Sequence, residues 1–278
     1  MSEGTTVLLG AFAGLTIFLG LPVARFRGLS RGAQGFLNAL ALGILVFLLW
    51  DVLSKANEPV EQSLDGLHHG DVAGFLLLVL LFAGGIGLGL LSLVYVNGRI
   101  GGRFARRPAR GLRGPGAAVA AEASGMPSGR WLAMMIAMGL GLHNFSEGLA
   151  IGQSAVSGAI SLAAVLIIGF ALHNVTEGFG VAAPMSSDAA PPSWGFLGLA
   201  GLIGGGPTFL GTVIGYSLTS RYVFVLFLTL AAGALLYVIN EMFAVGRKLN
   251  RPVVLGWGIL LGFLAGYATD LILTYAGS

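Results

Sequence analysis

The chain has 278 residues, 55% hydrophobic and only 10% charged, with a mean hydropathy of +0.87. So little polar surface excludes an ordinary soluble protein and places the chain in a bilayer. Cysteine is absent, which rules out disulfides, iron–sulfur clusters and thiolate metal sites and leaves His, carboxylate and amide groups as the only metal ligands. The net charge of +3 and pI near 9.5 suggest nucleic acid, but the placement of the basic residues gives a better account.

Crossing the hydrocarbon takes about 20 mainly apolar residues at 1.5 Å of rise each. Such runs recur eight times, at 5–24, 34–54, 73–97, 131–152, 157–182, 194–218, 222–245 and 253–275. The fold expected is an all-α membrane protein, a bundle of eight transmembrane helices forming one domain over 1–278. The first run has no basic segment before it and is followed by Arg25, Arg27 and Arg31, which reads as a retained helix with its N-terminus outside. Arg99, Arg103, Arg106, Arg107, Arg110, Arg113, Arg130, Arg247, Lys248 and Arg251 fall in the third and seventh connections, leaving only Lys55 and Arg221 on the other side. Basic residues gather in cytoplasmic loops, so both termini are expected outside the cytoplasm, and the positive charge is an orientation signal rather than a nucleic-acid surface. Residues 98–130 are the one long connection, a cytoplasmic Arg/Gly-rich loop suited to anionic lipid. Glycine, 46 residues in all, points to helices packed closely through small side chains.

An ionisable group near the bilayer centre costs about 2.5–3.5 kcal/mol and calls for a partner, a wet cavity or a function. The fourth span reads His143-Asn144-Phe145-Ser146-Glu147-Gly148 and the fifth His173-Asn174-Val175-Thr176-Glu177-Gly178. This is one pattern, His-Asn-x-(Ser/Thr)-Glu-Gly, written twice. Positions i and i+4 share a helix face, so His143 stands over Glu147 and His173 over Glu177. Two such faces turned together offer imidazoles, carboxylates and the amides of Asn144 and Asn174 to one or two divalent cations. Imidazole suits Zn²⁺ and Fe²⁺, and the oxygens also accept Mn²⁺. The plainer alternative is a pair of His–Glu hydrogen bonds that fasten two helices; its repetition in consecutive spans argues against it, because Ser or Thr would fasten them at smaller desolvation cost.

With these two motifs in the fourth and fifth of eight spans, the chain resembles the ZIP family of divalent-metal transporters over essentially its whole length. The resemblance implies a binuclear metal centre between those helices with the sixth span as a wall. It also implies import toward the cytoplasm of zinc, or of iron, manganese or cadmium, and an elevator-like motion of the first, fourth, fifth and sixth spans against the other four. Three departures stand out. Ser146 and Thr176 occupy the positions before Glu where the family usually has Pro, the sixth span reads Gly204-Gly205-Gly206-Pro207-Thr208 where many relatives place an acidic residue before Pro, and the third connection has Arg but no His.

Asp51 and Asp270, expected near outer helix ends, are candidate entrance residues, and Glu241 beside Asn240 is a candidate exit ligand; the alternative is that they lie where charge is cheap. Glu58, Glu61, Asp65, His68, His69 and Asp71 fall between the second and third spans. They read as a solvated loop in preference to a cation-gathering cluster.

The function expected is secondary transport of divalent cations, with no enzyme activity, no prosthetic group and Zn²⁺ or another dication as the substrate. No Gly-x-x-x-x-Gly-Lys-(Ser/Thr) sequence is present for ATP coupling. The runner-up is a membrane-embedded metal-dependent hydrolase or oxidoreductase using the same ligands, against which stands the lack of His-Glu-x-x-His; a metal sensor ranks third. The partners are divalent metal ions and the lipid bilayer, with a homodimer left open, and the expected location is a bacterial or archaeal cell (inner) membrane.

Overall fold

The structure is a computed structural model that describes residues 2–26, 30–67, 70–104, 128–156, 160–218, 220–248 and 250–277. Among the described residues every regular element is helical. They are α1 (Glu3–Leu15), α2 (Ile17–Gly20) with a 3-10 turn at Leu21–Arg25, α3 (Arg31–Leu67), α4 (Val72–Phe104), α5 (Ser128–Val156), α6 (Ile160–Ala182) with a 3-10 turn at Ala183–Ser187, α7 (Trp194–Ser217), α8 (Arg221–Lys248) and α9 (Pro252–Gly277). Six stretches, Glu3–Arg25, Gly32–Leu67, Val72–Arg99, Trp194–Ser217, Arg221–Ala244 and Pro252–Leu271, are long and apolar enough to cross a membrane. Helices α5 and α6, of 29 and 23 residues, have the length to do the same at 1.5 Å per residue.

The helices outrun the apolar stretches that announced them. Residues 55–67, expected as an outer loop, continue α3. Hydropathy falls at Lys55 because charged and amide side chains begin there, but the helix goes on: Asp51 with Lys55 and Asn57 with Glu61 pair one turn apart, both at 2.7 Å, as the i,i+4 spacing favours. The long connection of 98–130 is likewise shorter than its composition suggests, since 98–104 prolong α4 and 128–130 open α5. The rest of it, and His68 and His69, lie outside the described residues.

The helices sort into two groups by packing. α5 packs most extensively on α7, and α1, α2 and α6 join them; α3 packs on α8 and α9, and α4 on α8. The groups meet where α5 lies on α8 and where α6 lies on α3 and α9. Leu42, Leu45 and Leu48 of α3, Leu132, Ile136 and Leu140 of α5, and Leu228 and Leu235 of α8 fill the core at this junction, each 3% exposed or less. In contrast, only 22% and 17% of the apolar windows of α4 and α9 are buried, against 61% in α3 and α8, so α4 and α9 turn leucines to the lipid and the other two are central. Burial in lipid brings no hydrophobic penalty for such faces.

At one end of the bundle the turn between α6 and α7 is held from two sides. Arg130 donates to the carbonyls of Ala190 and Pro191 at 3.1 and 3.0 Å. Arg25 donates to the Pro192 carbonyl and lies 4.7 Å over the Trp194 ring. Asp188 accepts from the Gly129 N–H at 3.1 Å, but its second oxygen is buried without a hydrogen-bond partner, 3.8 Å from Arg130 Nε. Burial therefore pushes the Asp188 carboxyl above the usual range, opposed by Gly129 and Arg130. A raised carboxyl pKa means the ionised form is less favourable folded than unfolded, so stability grows as pH falls through the folded value. Asp188→Asn keeps the acceptor for Gly129. It is expected to leave the neutral-pH melting temperature in detergent unchanged or slightly higher; a drop of several degrees would show that the charge stabilises the turn.

Candidate metal centre

The two repeated motifs sit in the middle of α5 and α6 and are turned toward each other. His143 Nε2 lies 3.2 Å from Glu147 Oε1 one turn along α5, and 3.8 Å from Glu177 Oε1 across the interface. His173 Nε2 lies 3.9 Å from the same Glu177 oxygen. The imidazole centroids are 6.1 Å apart. Ligand atoms of His143, His173 and Glu177 all fall within 4.8 Å of one another, which makes them a group able to hold a metal ion. All six motif residues are buried, none more than 5% exposed.

Neighbouring helices orient the amides. Asn144 Nδ2 donates to Glu177 Oε2 at 2.8 Å and to the Gly204 carbonyl of α7 at 3.0 Å. Asn174 Nδ2 donates to the Ala13 carbonyl of α1 at 3.0 Å. That carbonyl is within reach because the first span is interrupted at Thr16, whose hydroxyl donates to Ala13 O at 2.7 Å and to Ala171 O of α6 at 2.6 Å. With both amide nitrogens committed, the oxygens of Asn144 and Asn174 are left without hydrogen-bond partners. So are both His143 nitrogens, His173 Nε2, Glu147 Oε2, Glu177 Oε1 and the hydroxyl of Thr208 on α7. A buried polar atom left unsatisfied costs about 1–3 kcal/mol. So many on two adjacent motifs are uneconomical for a helix fastener, and those of His143, His173 and Glu177, which converge, suit donor atoms arranged for a cation.

The motif glycines bring the walls close. A Cβ on Gly148 would stand 2.2 Å from the Thr208 carbonyl oxygen, and one on Gly178 2.0 Å from the Ile17 carbonyl oxygen, so backbone meets backbone on both flanks of the site. The hydroxyls that replace the family's Pro bond back along their own helices, Ser146 to Leu142 O at 3.3 Å and Thr176 to His173 O at 2.6 Å. Such bonds compete locally with the helix ladder without removing a donor from it.

The outlying acidic residues are placed differently. Asp51 is not near a helix end, since α3 runs on to Leu67; it is 6% exposed and tied to Lys55 at 2.7 Å. This pair stands within Coulombic range of His143 and His173, and Asp270, half-buried on α9, is within range of the pair. Glu241 is buried on α8 one turn beyond Tyr237, whose hydroxyl accepts from Asn97 of α4. Asp71 lies at the start of α4, where it accepts from the Gly74 N–H at 3.0 Å, and both it and Asp65 are exposed. Sequence reasoning missed Thr16 and the carbonyls of Ala13 and Gly204. The carbonyls carry no residue signature, and lone hydroxyls in apolar spans are common.

The fold and site define an all-helical polytopic membrane protein with a buried His/Glu cluster between two adjacent helices. The family model described as ZIP Zinc transporter matches residues 115–274, more than half of the chain, and the chain belongs to that family, whose members move metal ions. No curated protein matches it.

Proposed function

We propose that the protein is a secondary transporter that carries divalent cations, Zn²⁺ foremost and otherwise Fe²⁺, Mn²⁺ or Cd²⁺, into the cytoplasm. His143, Asn144, Glu147, His173, Asn174 and Glu177 hold the ion. The observation that carries this reading is the convergence of buried ligand atoms of His143, His173 and Glu177 within 4.8 Å of one another, with further unsatisfied nitrogens and oxygens on the same two helices. Mixed imidazole and carboxylate ligands without thiolate favour first-row dications held exchangeably, as a carrier requires. A dication moving to a negative interior gains about 4.6 kcal/mol per 100 mV, twice the value for a unit charge, so the membrane potential alone drives import.

The packing into two groups of helices supports an elevator-type alternating access. In it α1, α2, α5, α6 and α7 slide as one body against α3, α4, α8 and α9, along the seams of α5 with α8 and of α6 with α3 and α9. In this reading the domain spans 1–278, both termini are outside and residues 105–127 are cytoplasmic. Asp51 and Asp270 line the entrance and Glu241 the exit.

Uptake of labelled zinc, cadmium, manganese and iron by proteoliposomes holding the full chain tests the reading. The expected result is saturable, potential-driven accumulation of zinc at rates well above those of empty vesicles. Binding without accumulation of any of the four metals would sink it. A tag within 105–115 that is labelled from outside intact cells would reverse the orientation.

A further inference from the structure

Charge around the ligand cluster bears on how many ions it holds. Among the described residues the His and carboxylate ligand atoms converge in one group, which Glu147 joins through its 3.2 Å contact with His143. Its ionisable oxygens come from two residues, Glu147 and Glu177. The other unsatisfied side-chain oxygens of the two motifs besides the carboxylates, those of Asn144 and Asn174, are neutral, and the carbonyls of Ala13 and Gly204 beside them are already taken by the amide N–H groups. The other carboxylate within Coulombic range of the histidines, Asp51, is matched by Lys55 at 2.7 Å, so that pair adds no net negative charge. It also stations an ammonium within range of Glu147.

We infer that the centre takes a single dication per chain, and that the oxygens of Asn144 and Asn174 serve its coordinated water rather than a second metal. This rests on the carrier reading above and deepens it. Two carboxylates neutralise one dication, with the imidazoles ligating in their neutral form. A second ion would leave two uncompensated positive charges in a buried, low-dielectric setting, where unpaired charge is strongly disfavoured. Two dications at the spacing of about 3.5–4 Å found in two-metal sites repel four times as strongly as two unit charges at that distance. Neutral amide oxygens do not offset this, but they do hydrogen-bond water, and water of hydration gives a carried ion ligands that exchange quickly.

The test counts ions. The purified full chain in detergent, saturated with Zn²⁺ and freed of excess by a weak chelator, is compared with the His143→Ala/Glu177→Ala double variant by elemental analysis. The difference isolates the ions held by the centre from any on exposed groups. A difference of one ion per chain is expected, and a difference of two overturns the inference while leaving the carrier reading intact. No difference, with the variant folded, removes the centre itself and the carrier reading with it. Should the double variant fail to fold, cadmium-113 resonance of the wild-type chain decides the matter. One resonance in the range of mixed nitrogen and oxygen ligands that is lost in Glu147→Gln is expected; two such resonances of equal intensity overturn the inference.

Discussion

His143→Ala and Glu177→Gln are each expected to lower zinc uptake by at least about 100-fold, whereas His68→Ala is expected to change it by less than about twofold. Groups that only orient a metal ligand are typically worth 10–100-fold, and in the proposed centre these two residues supply ligand atoms. Glu177 occupies the centre of the arrangement: one oxygen faces both imidazoles at 3.8 and 3.9 Å and the other accepts from Asn144 at 2.8 Å. The glutamine variant keeps the shape and loses half of the negative charge available to a dication. It is expected to retain a folded protein by circular dichroism while losing binding by calorimetry. His68 lies outside the described residues, and the sequence places it between the second and third spans, apart from the two repeated motifs. Equal losses in the three variants would remove the midplane site as the place of binding.

Gly148→Val is expected to be strongly damaging although it touches no ligand. The Cβ position lies 2.2 Å from the Thr208 carbonyl oxygen and 2.8 Å from the Thr212 nitrogen, so the obstacle is backbone of α7 and no rotamer change relieves it. The same α5–α7 seam continues at Gly152 against Thr212 O at 2.5 Å and, from the other side, at Gly211 against Phe145 O at 2.0 Å. Overpacking typically costs about 1–3 kcal/mol, and a contact between two backbones belongs at the upper end or beyond. The measurements are folded yield in detergent and melting temperature, with Gly180→Ala as the control, because a Cβ there meets nothing within 4 Å. Equal stability of the two variants would mean that α5 and α7 are not pressed together as the structure has them.

The difference between those glycines shows how far the chain could be read without coordinates. Gly148 and Gly178 end the two repeated motifs and were legible as members of a pattern, but nothing in the sequence distinguishes them from Gly180, since glycine is frequent in membrane helices for several reasons. The four ionisable ligands were legible because charge in an apolar run is costly and its repetition at the same spacing is improbable by chance. The helix ends were not. Hydropathy marks where the chain leaves the hydrocarbon, whereas a helix ends where its backbone hydrogen bonds do, and Lys55 to Leu67 remain helical through side-chain pairs that hydropathy counts against them.

By itself, then, the sequence determined a membrane-embedded helical bundle and a thiolate-free set of His, Glu and Asn candidate ligands carried on two consecutive helices, because solvent transfer energies and the helical i,i+4 geometry act locally. Only the tertiary structure decided that His143, His173 and Glu177 share one point and that Ala13 and Gly204 carbonyls orient the asparagines. Those outcomes depend on which helix faces lie against each other. That choice is made by close backbone packing between segments up to about 160 residues apart, as with Asn174 and Ala13, and no local pattern encodes it.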